Sequence, residues 1–358
     1  MPSADEIKIP RILPASFSNF ILSTATNSSG VIVTTLLHGH TRGDANGPGH
    51  AYCISEYQIP ASKNNNCDIA PIETLFLHLP SDTRPVSAAN SITRFNNDWY
   101  FLDKATGLIK RISNNSIYSI GNMEDIVQVP ISQPESVYMI RNSGSILMVF
   151  RNISAGNFDI LSSLNSQDDI EAIKLGYPLL SHAEMASYRK APAISISSGD
   201  EKTVVDVALL PGSDIEPLIL QTYSLTDGEW ISSKVIKIKL SNLKFSWPIE
   251  DELTYLRKGW IIPDKATQIV RNTIMAKRVG NVILLGGPWR LVKVEPTKQV
   301  MTIIPLRSML LDKYENWISD PEPFCYGISD ENLYVVTTVN HDSDAQQVIC
   351  TRININDL

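Results

Sequence analysis

Charge is scarce in this chain. Asp, Glu, Lys and Arg make up 19% of its 358 residues, below the quarter or so usual in soluble domains, and no run of Lys or Arg reaches four. The formal net charge is −7. A nucleic-acid groove or an anionic membrane surface is held by clustered cations that displace counterions, so neither is expected as a partner. Cysteine is sparse too: Cys53, Cys67, Cys325 and Cys350 stand far apart with no C-x-x-C, which argues against a zinc ribbon and against a disulfide scaffold. Isolated buried thiols are expected instead. No apolar run approaches the roughly 18 residues that span a bilayer. The start, Met1-Pro-Ser-Ala-Asp5-Glu6, has acids where a secretory leader has bases, and no apolar stretch follows. A cytoplasmic, soluble protein is therefore expected, and the sequons at Asn27, Asn114 and Asn152 read as chance matches. Walker A, G-x-G-x-x-G after a strand, H-E-x-x-H and G-x-S-x-G are all missing. Nucleotide, dinucleotide, zincin and serine-hydrolase chemistry has no motif to stand on.

What the chain does have is repetition. Between Ala193 and Leu240, runs of four to eight β-branched and aromatic residues alternate with Gly, Pro, Asp and Ser, the pattern of a four-stranded meander. Its strands are Ala193 to Ile196, Thr203 to Leu209, Pro217 to Tyr223, and Trp230 with Val235 to Leu240. One such meander cannot bury a face alone, so copies are expected. Phe20 to Ala25, Val31 to Leu37, Ala51 to Gln58 and Ile72 to Leu79 form the first. Ser91 to Phe95, Trp99 to Asp103, Leu108 to Ile112 and Ile117 to Ile120 form the second, with Asn96-Asn97 and Asn114-Asn115 as turns. The third runs through Val137 to Arg141, Ile146 to Phe150, Phe158 to Leu161 and Ile170 to Leu175. A fifth uses Ile274 to Lys277, Val282 to Leu285, Arg290 to Val294 and Val300 to Ile304. The sixth has three strands: Phe324 to Ile328, Leu333 to Val339 and Gln347 to Ile355. The strand at Glu6 to Leu13, with Pro10 marking it as an edge, is left over and completes the sixth copy.

This pattern predicts an all-β fold, a single six-bladed β-propeller over residues 1–358. Its ring closes by pairing the N-terminal strand with the C-terminal blade, which removes open edges. Seven blades or two β-sandwiches are the alternatives. Second strands recur about every 60 residues, against about 40 to 50 for propeller blades. Insertions are therefore placed near 178–190, 248–271 and 306–318, with short helical character. In a propeller these fourth-to-first connections leave from the same face as the loops between second and third strands, and that face is where function is expected.

The layout Pro192-Ala-Ile-Ser195, Val204 to Leu209, Leu218 to Tyr223 and Thr226-Asp-Gly-Glu-Trp230 resembles the blades of the fungal fucose-lectin propellers, mainly over residues 90 to 240. The resemblance implies a propeller and a lectin-like, carbohydrate-recognising role. Those lectins repeat an Arg, a Glu and an aromatic residue in each sugar site; here Glu229-Trp230 occurs once and is not echoed.

Several residues could carry chemistry on the expected face. His38-Gly-His40-Thr-Arg42-Gly-Asp44 with His50 holds three of the six histidines. His38, His40, His50 and Asp44 form a candidate divalent-metal set, because imidazoles two apart with a third beyond a glycine-rich turn can converge on Zn²⁺. His182 and Glu184 are a candidate acid–base pair, with Arg42 as a further catalytic candidate. Trp260, Trp289, Arg290 and His341 are candidate ligand contacts, the tryptophans for planar faces and Arg290 for an anion. Trp99, Trp230 and Trp247 read as packing between copies. A small-molecule or saccharide ligand is the leading expectation. A cytoplasmic propeller enzyme acting on a small organic substrate (isomerase, cyclase, lyase or hydrolase) and a protein-interaction scaffold are the alternatives.

Overall fold

A computed structural model of the chain describes residues 4–9, 17–27, 29–39, 50–61, 69–79, 83, 92–103, 109–114, 116–119, 137–141, 146–152, 157–164, 170–174, 188, 193–198, 203–226, 229–233, 235–248, 262–271, 273–287, 290–304, 306, 325–329, 331–340 and 346–358. Strands are numbered in chain order. Among the described residues the chain is all-β apart from one short α-helix and two single-turn 3₁₀ segments, and its strands fall into six antiparallel sheets. It divides into two compact units. The first comprises Met1–Leu179, Ser197–Glu201 and Glu322–Asp357; the second comprises Leu180–Ile196, Lys202–Pro321 and Leu358. No helix among the described residues is long and apolar enough to cross a membrane.

The first unit holds four sheets. β1 (Ala4–Ile9) belongs to the last of them: it pairs with β25 (Gln346–Asn354), followed by β24 (Asn332–Asn340) and β23 (Cys325–Ile328). Ile9 stands opposite Val348 and Ala4 opposite Ile353, so the strand left over in the sequence does complete the sixth copy. Arg352 fixes it there. Its guanidinium reaches Asp5 Oδ2 at 2.6 Å and donates a second bond to the Ala61 carbonyl.

The next sheet runs β2 (Phe17–Asn27), β3 (Gly30–Gly39), β4 (His50–Pro60) and β5 (Pro71–Leu79). Its strands extend beyond the expected ones, β3 through His38 and β4 back to His50. Successive side chains of a strand point to opposite faces, and here both faces are covered. Val31, Val33, Tyr57 and Ile59 pack against Tyr334, Val336, Val348 and Cys350. On the other side Leu36, Ile54 and Leu79 pack against Ile92, Trp99, Phe101 and Ile112 of the following sheet. Burial on both faces explains why β3 reads as a near-continuous apolar run. Gly30 is required where β2 turns into β3: its φ is +136°, and a Cβ would lie 2.0 Å from the Ile59 carbonyl oxygen.

The sheet contributing Trp99 is β6 (Ile92–Phe95), β7 (Asp98–Leu102), β8 (Ile109–Ser113) and β9 (Ser116–Ser119). Asn96 and Asn97 join β6 to β7 with φ of 49° and 69°, the left-handed pair that a tight hairpin demands and asparagine tolerates. Arg94 of this sheet reaches back to Glu56 at 3.4 Å and Glu73 at 3.1 Å on the preceding one. The fourth sheet is β10 (Val137–Arg141), β11 (Ile146–Asn152), β12 (Asn157–Leu164) and β13 (Ile170–Lys174). The first strands of all four sheets lie together: β2 is beside β23, β6 and β10, and β6 is beside β10. A 2.7 Å bond from Thr24 Oγ1 to the Tyr326 carbonyl fastens β2 to β23.

The second unit holds two sheets. One is β14 (Ala193–Ser198), β15 (Thr203–Leu209), β16 (Leu218–Thr226) and β17 (Glu229–Ser232), with β18 (Ile236–Ile238) also on β16. The single fourth strand expected here is thus interrupted. Ser232 faces Tyr223 and Ile236 faces Leu220, which leaves one extra residue on the outer side, a β-bulge. Ser233 secures it: its hydroxyl accepts the Thr222 N–H at 3.2 Å, and its own N–H donates to the Thr222 carbonyl at 2.8 Å. The other sheet is β19 (Met275–Val279), β20 (Val282–Gly287), β21 (Arg290–Glu295) and β22 (Val300–Ile304). A core including Ala208, Leu220, Ile283, Leu285, Val292 and Met301 joins the two sheets. Asp206 spans the same junction from β15. Fully buried, it accepts from the Thr222 hydroxyl at 2.5 Å and the Arg278 N–H at 3.2 Å, with Lys277 Nζ 3.4 Å away.

Candidate ligand site

In the second unit Tyr188 and the segment before β19 both contact the loop between β15 and β16. The loop 210–217 joins β15 to β16. It is bridged by Tyr188, which pairs with Pro211 through the backbone and donates its hydroxyl to the Pro217 carbonyl at 2.9 Å. The segment leading to β19 binds the same loop. There α1 (Ala266–Val270) presents Ala266, Ile269 and Val270 to the core, and the Gln268 side chain turns back to accept the Asp264 N–H at 3.3 Å. Thr267 donates its hydroxyl to Asp214 Oδ1, and Lys265 Nζ lies 2.9 Å from Asp214 Oδ2. The Thr267 bond, and then the Lys265 contacts, hold the Asp214 carboxyl below the ordinary carboxylate range. The same pairing raises Lys265.

The site itself is built on β22 and the segment 244–248. Pro296 opens the turn between β21 and β22, and Gln299, at φ 54°, closes it. The Gln299 carbonyl accepts the Lys244 N–H at 2.9 Å, and the Lys244 carbonyl accepts the Met301 N–H at 2.9 Å. Residues 244–248 thereby set out parallel to the edge of β22. A hollow of ≈ 430 Å³ lies between them, lined by Lys244, Phe245, Ser246, Trp247 and Pro248 on one side and by 300–303 on the other. Trp247 is half-buried and oriented by its indole N–H, which donates to the Pro263 carbonyl at 2.7 Å.

Arg290 begins β21, directly after the two-residue connection from Gly287. Its guanidinium carbon lies 5.4 Å from the centroid of the Trp247 ring, close enough for a cation–π attraction of about 0.5–2 kcal/mol. The residue is only 8% exposed. Its Nη1 is buried and has no hydrogen-bond partner, and no carboxylate pairs with it among the described residues. A buried guanidinium normally keeps its donors occupied; here Nη1 is without a partner, and Arg290 is not among the residues that line the hollow.

Arg290 is thus the predicted contact whose side chain the structure describes. His38 is near the end of β3, opposite Ser18 and Tyr52, and His50 begins β4, opposite Leu79. They belong to strands and not to the loop expected there, because the ladder continues through Gly39 and Ala51. His40, Arg42, Asp44, His182, Glu184, Trp260, Trp289 and His341 lie outside the described residues. Among the described residues no three His, Cys, Asp or Glu side chains converge as a metal site. Trp99 is buried between sheets as expected. Trp247 differs: it packs on the core and also forms a wall of the hollow. The sequence signal for that second role is slight, an aromatic pair Phe245 and Trp247 just before Pro248 where a strand has ended.

No protein-family model matches the chain, and no curated protein matches it. Solved structures similar to it include Trypanosoma rangeli sialidase, with 9% identity and a TM-score of 0.38, covering 100% of this chain and 60% of that one. A protein of unknown function from Dyadobacter fermentans has 10% identity and a TM-score of 0.40, covering 99% of this chain and 100% of that one. The N-terminal domain of Nup159 has 8% identity and a TM-score of 0.37, covering 98% and 96%. The chain thus spans about 60% of the sialidase's length. Likeness at this level carries no activity across.

Proposed function

We propose that this chain is a six-bladed β-propeller that binds a small organic ligand, a saccharide or another ring-shaped molecule, beside Trp247. The propeller reading draws support from antiparallel sheets built of consecutive strands, from the adjacent first strands of the first unit, and from the pairing of β1 with β25. The ligand reading rests on one observation: an indole fixed by Pro263 forms a wall of a ≈ 430 Å³ hollow. That volume falls within the range of small-molecule pockets, and a fixed aromatic face suits a sugar or planar ring. Glycan-array and small-molecule screening of the wild type against Trp247→Ala tests it. A hit should weaken about tenfold or more in the variant; hits indifferent to Trp247, or silence throughout, would sink the assignment.

A divalent-metal site at His38, His40, His50 and Asp44 is a second, separate reading. It is favoured by the register that sets His38 and His50 on neighbouring strands, two positions apart across the ladder. Elemental analysis of the purified protein beside a His38, His40, His50 triple-alanine variant decides it. Stoichiometric metal lost in the variant supports the site, and metal-free wild type rejects it.

A further inference from the structure

The outer strands of the sheets differ in how their free edges are guarded. A strand at the end of a sheet presents unpaired N–H and C=O groups, and chains blunt such edges with charge, brevity, bulges or a covering segment. β1 carries Asp5, Glu6 and Lys8. β9 and β17 have four residues each, and the bulge at Ser233 follows the second. β13 carries Glu171 and Lys174, and Lys244 is bonded along β22. β5 has none of these guards. It is nine residues long, ends its sheet with no strand beyond it among the described residues, and bears one carboxylate, Glu73. Arg94 already holds that carboxylate at 3.1 Å.

The two faces of β5 also differ. Leu75 and Leu77 pack on the core shared with the following sheet. Ile72, Thr74 and Phe76 alternate with them and point the other way, and there Ile72 is 51% and Phe76 58% exposed. The other exposed large apolar residues among the described ones, Tyr118, Ile215 and Ile231, stand singly on three different segments. Only β5 gathers two of them on one face of an open edge.

We propose that β5 is a self-association edge, where two copies of the chain pair their β5 strands antiparallel about a two-fold axis at Thr74. A second copy is the occupant that this strand's own sequence fits. In that register Ile72 stands opposite Phe76 of the second copy, and the same pair recurs on the other side of the axis, so the exposed apolar side chains cover one another. Glu73 stands opposite Leu75 and keeps its bond to Arg94. Moving the axis to Glu73 would set two carboxylates face to face, which is destabilising across a sheet. A patch that is complementary to its own copy is what a two-fold dimer requires. One strand pair is a small contact, so the dimer is weak and governed by concentration.

Sedimentation velocity of the full chain between about 1 and about 200 µM tests this. The mass should rise with concentration from the monomer's 39.7 kDa toward twice that. Phe76→Lys and Ile72→Lys put a charge at exposed positions, so each should keep the wild-type circular dichroism and melting temperature while its association weakens at least about tenfold. Crosslinking locates the edge. With a short bismaleimide, Thr74→Cys should give a covalent dimer in a yield well above the wild type, whereas Ile231→Cys, on the outer strand β17, should not. A wild type that stays monomeric across the range overturns the proposal and leaves the edge to a strand of another protein or to none. Association that survives both lysine variants, or a crosslink that forms through Ile231→Cys and not through Thr74→Cys, overturns it as well.

Discussion

Two arginines of near-equal burial occupy opposite situations. Arg352, 9% exposed, sits where β1 joins β25 and is bonded to Asp5 and the Ala61 carbonyl. Arg290, 8% exposed, sits where β20 turns into β21 and keeps Nη1 empty. Burial of a charge is costly in both places. In the first the cost is offset within the chain, and the residue fastens a strand. In the second one donor has no hydrogen-bond partner, and the guanidinium lies against the Trp247 ring. The difference teaches that burial alone does not make a charge a fastening; its partner list does.

That contrast can be broken by stability measurements, beginning with a third buried charge. Asp206 is fully buried and fully engaged, like Arg352. Asp206→Ala removes the acceptor of the Thr222 hydroxyl and of the Arg278 N–H and the carboxylate beside Lys277, and should cost about 3–5 kcal/mol in chemical denaturation. Arg352→Met should cost less, about 1–3 kcal/mol, because Asp5 is a third exposed and regains water. Arg290→Met should fall within about 1 kcal/mol of the wild type or be more stable, since it trades one cation–π contact for relief of an unsatisfied buried group. A loss in Arg290→Met as large as that in Arg352→Met would erase the distinction.

The smallest effect concerns the exposed pair at Asp214. Its carboxyl is held low in the folded protein, so its contribution is present above the unfolded value, about 3.9, and fades as pH falls through the folded one. Hydrogen exchange at Ala266–Val270 should therefore quicken below roughly pH 4, and Asp214→Asn should show the faster exchange already at pH 6. Exchange insensitive to both changes would mean that α1 is held by its apolar face alone.

Much of the fold was legible because its signals are local. Asn96-Asn97 forms the left-handed turn its residues favour, and Thr203 to Leu209 is β15 with the expected bounds. The leftover strand at Glu6 found its partner by elimination, since one copy was a strand short. The bulge at Ser233 was not legible, because it is set by side-chain bonds to Thr222 and not by any breaker residue. Arg290 could be picked out as a polar residue beside a turn, and it lies against Trp247 without lining the hollow. Its unused donor could not, because that depends on which distant groups fail to arrive. Trp247 misled for a related reason: a tryptophan that packs a core and one that also walls a hollow look alike in sequence.

The pairing of β1 with β25 also sets a schedule for synthesis. Asp5 and Arg352 are 347 positions apart, so at ~5–20 residues per second the first strand waits tens of seconds for its neighbour to leave the ribosome. The sheet that holds both strands is therefore assembled last, after the strands between them have been made. Until then an apolar edge containing Ile7 and Ile9 is exposed to chaperones or to other nascent chains.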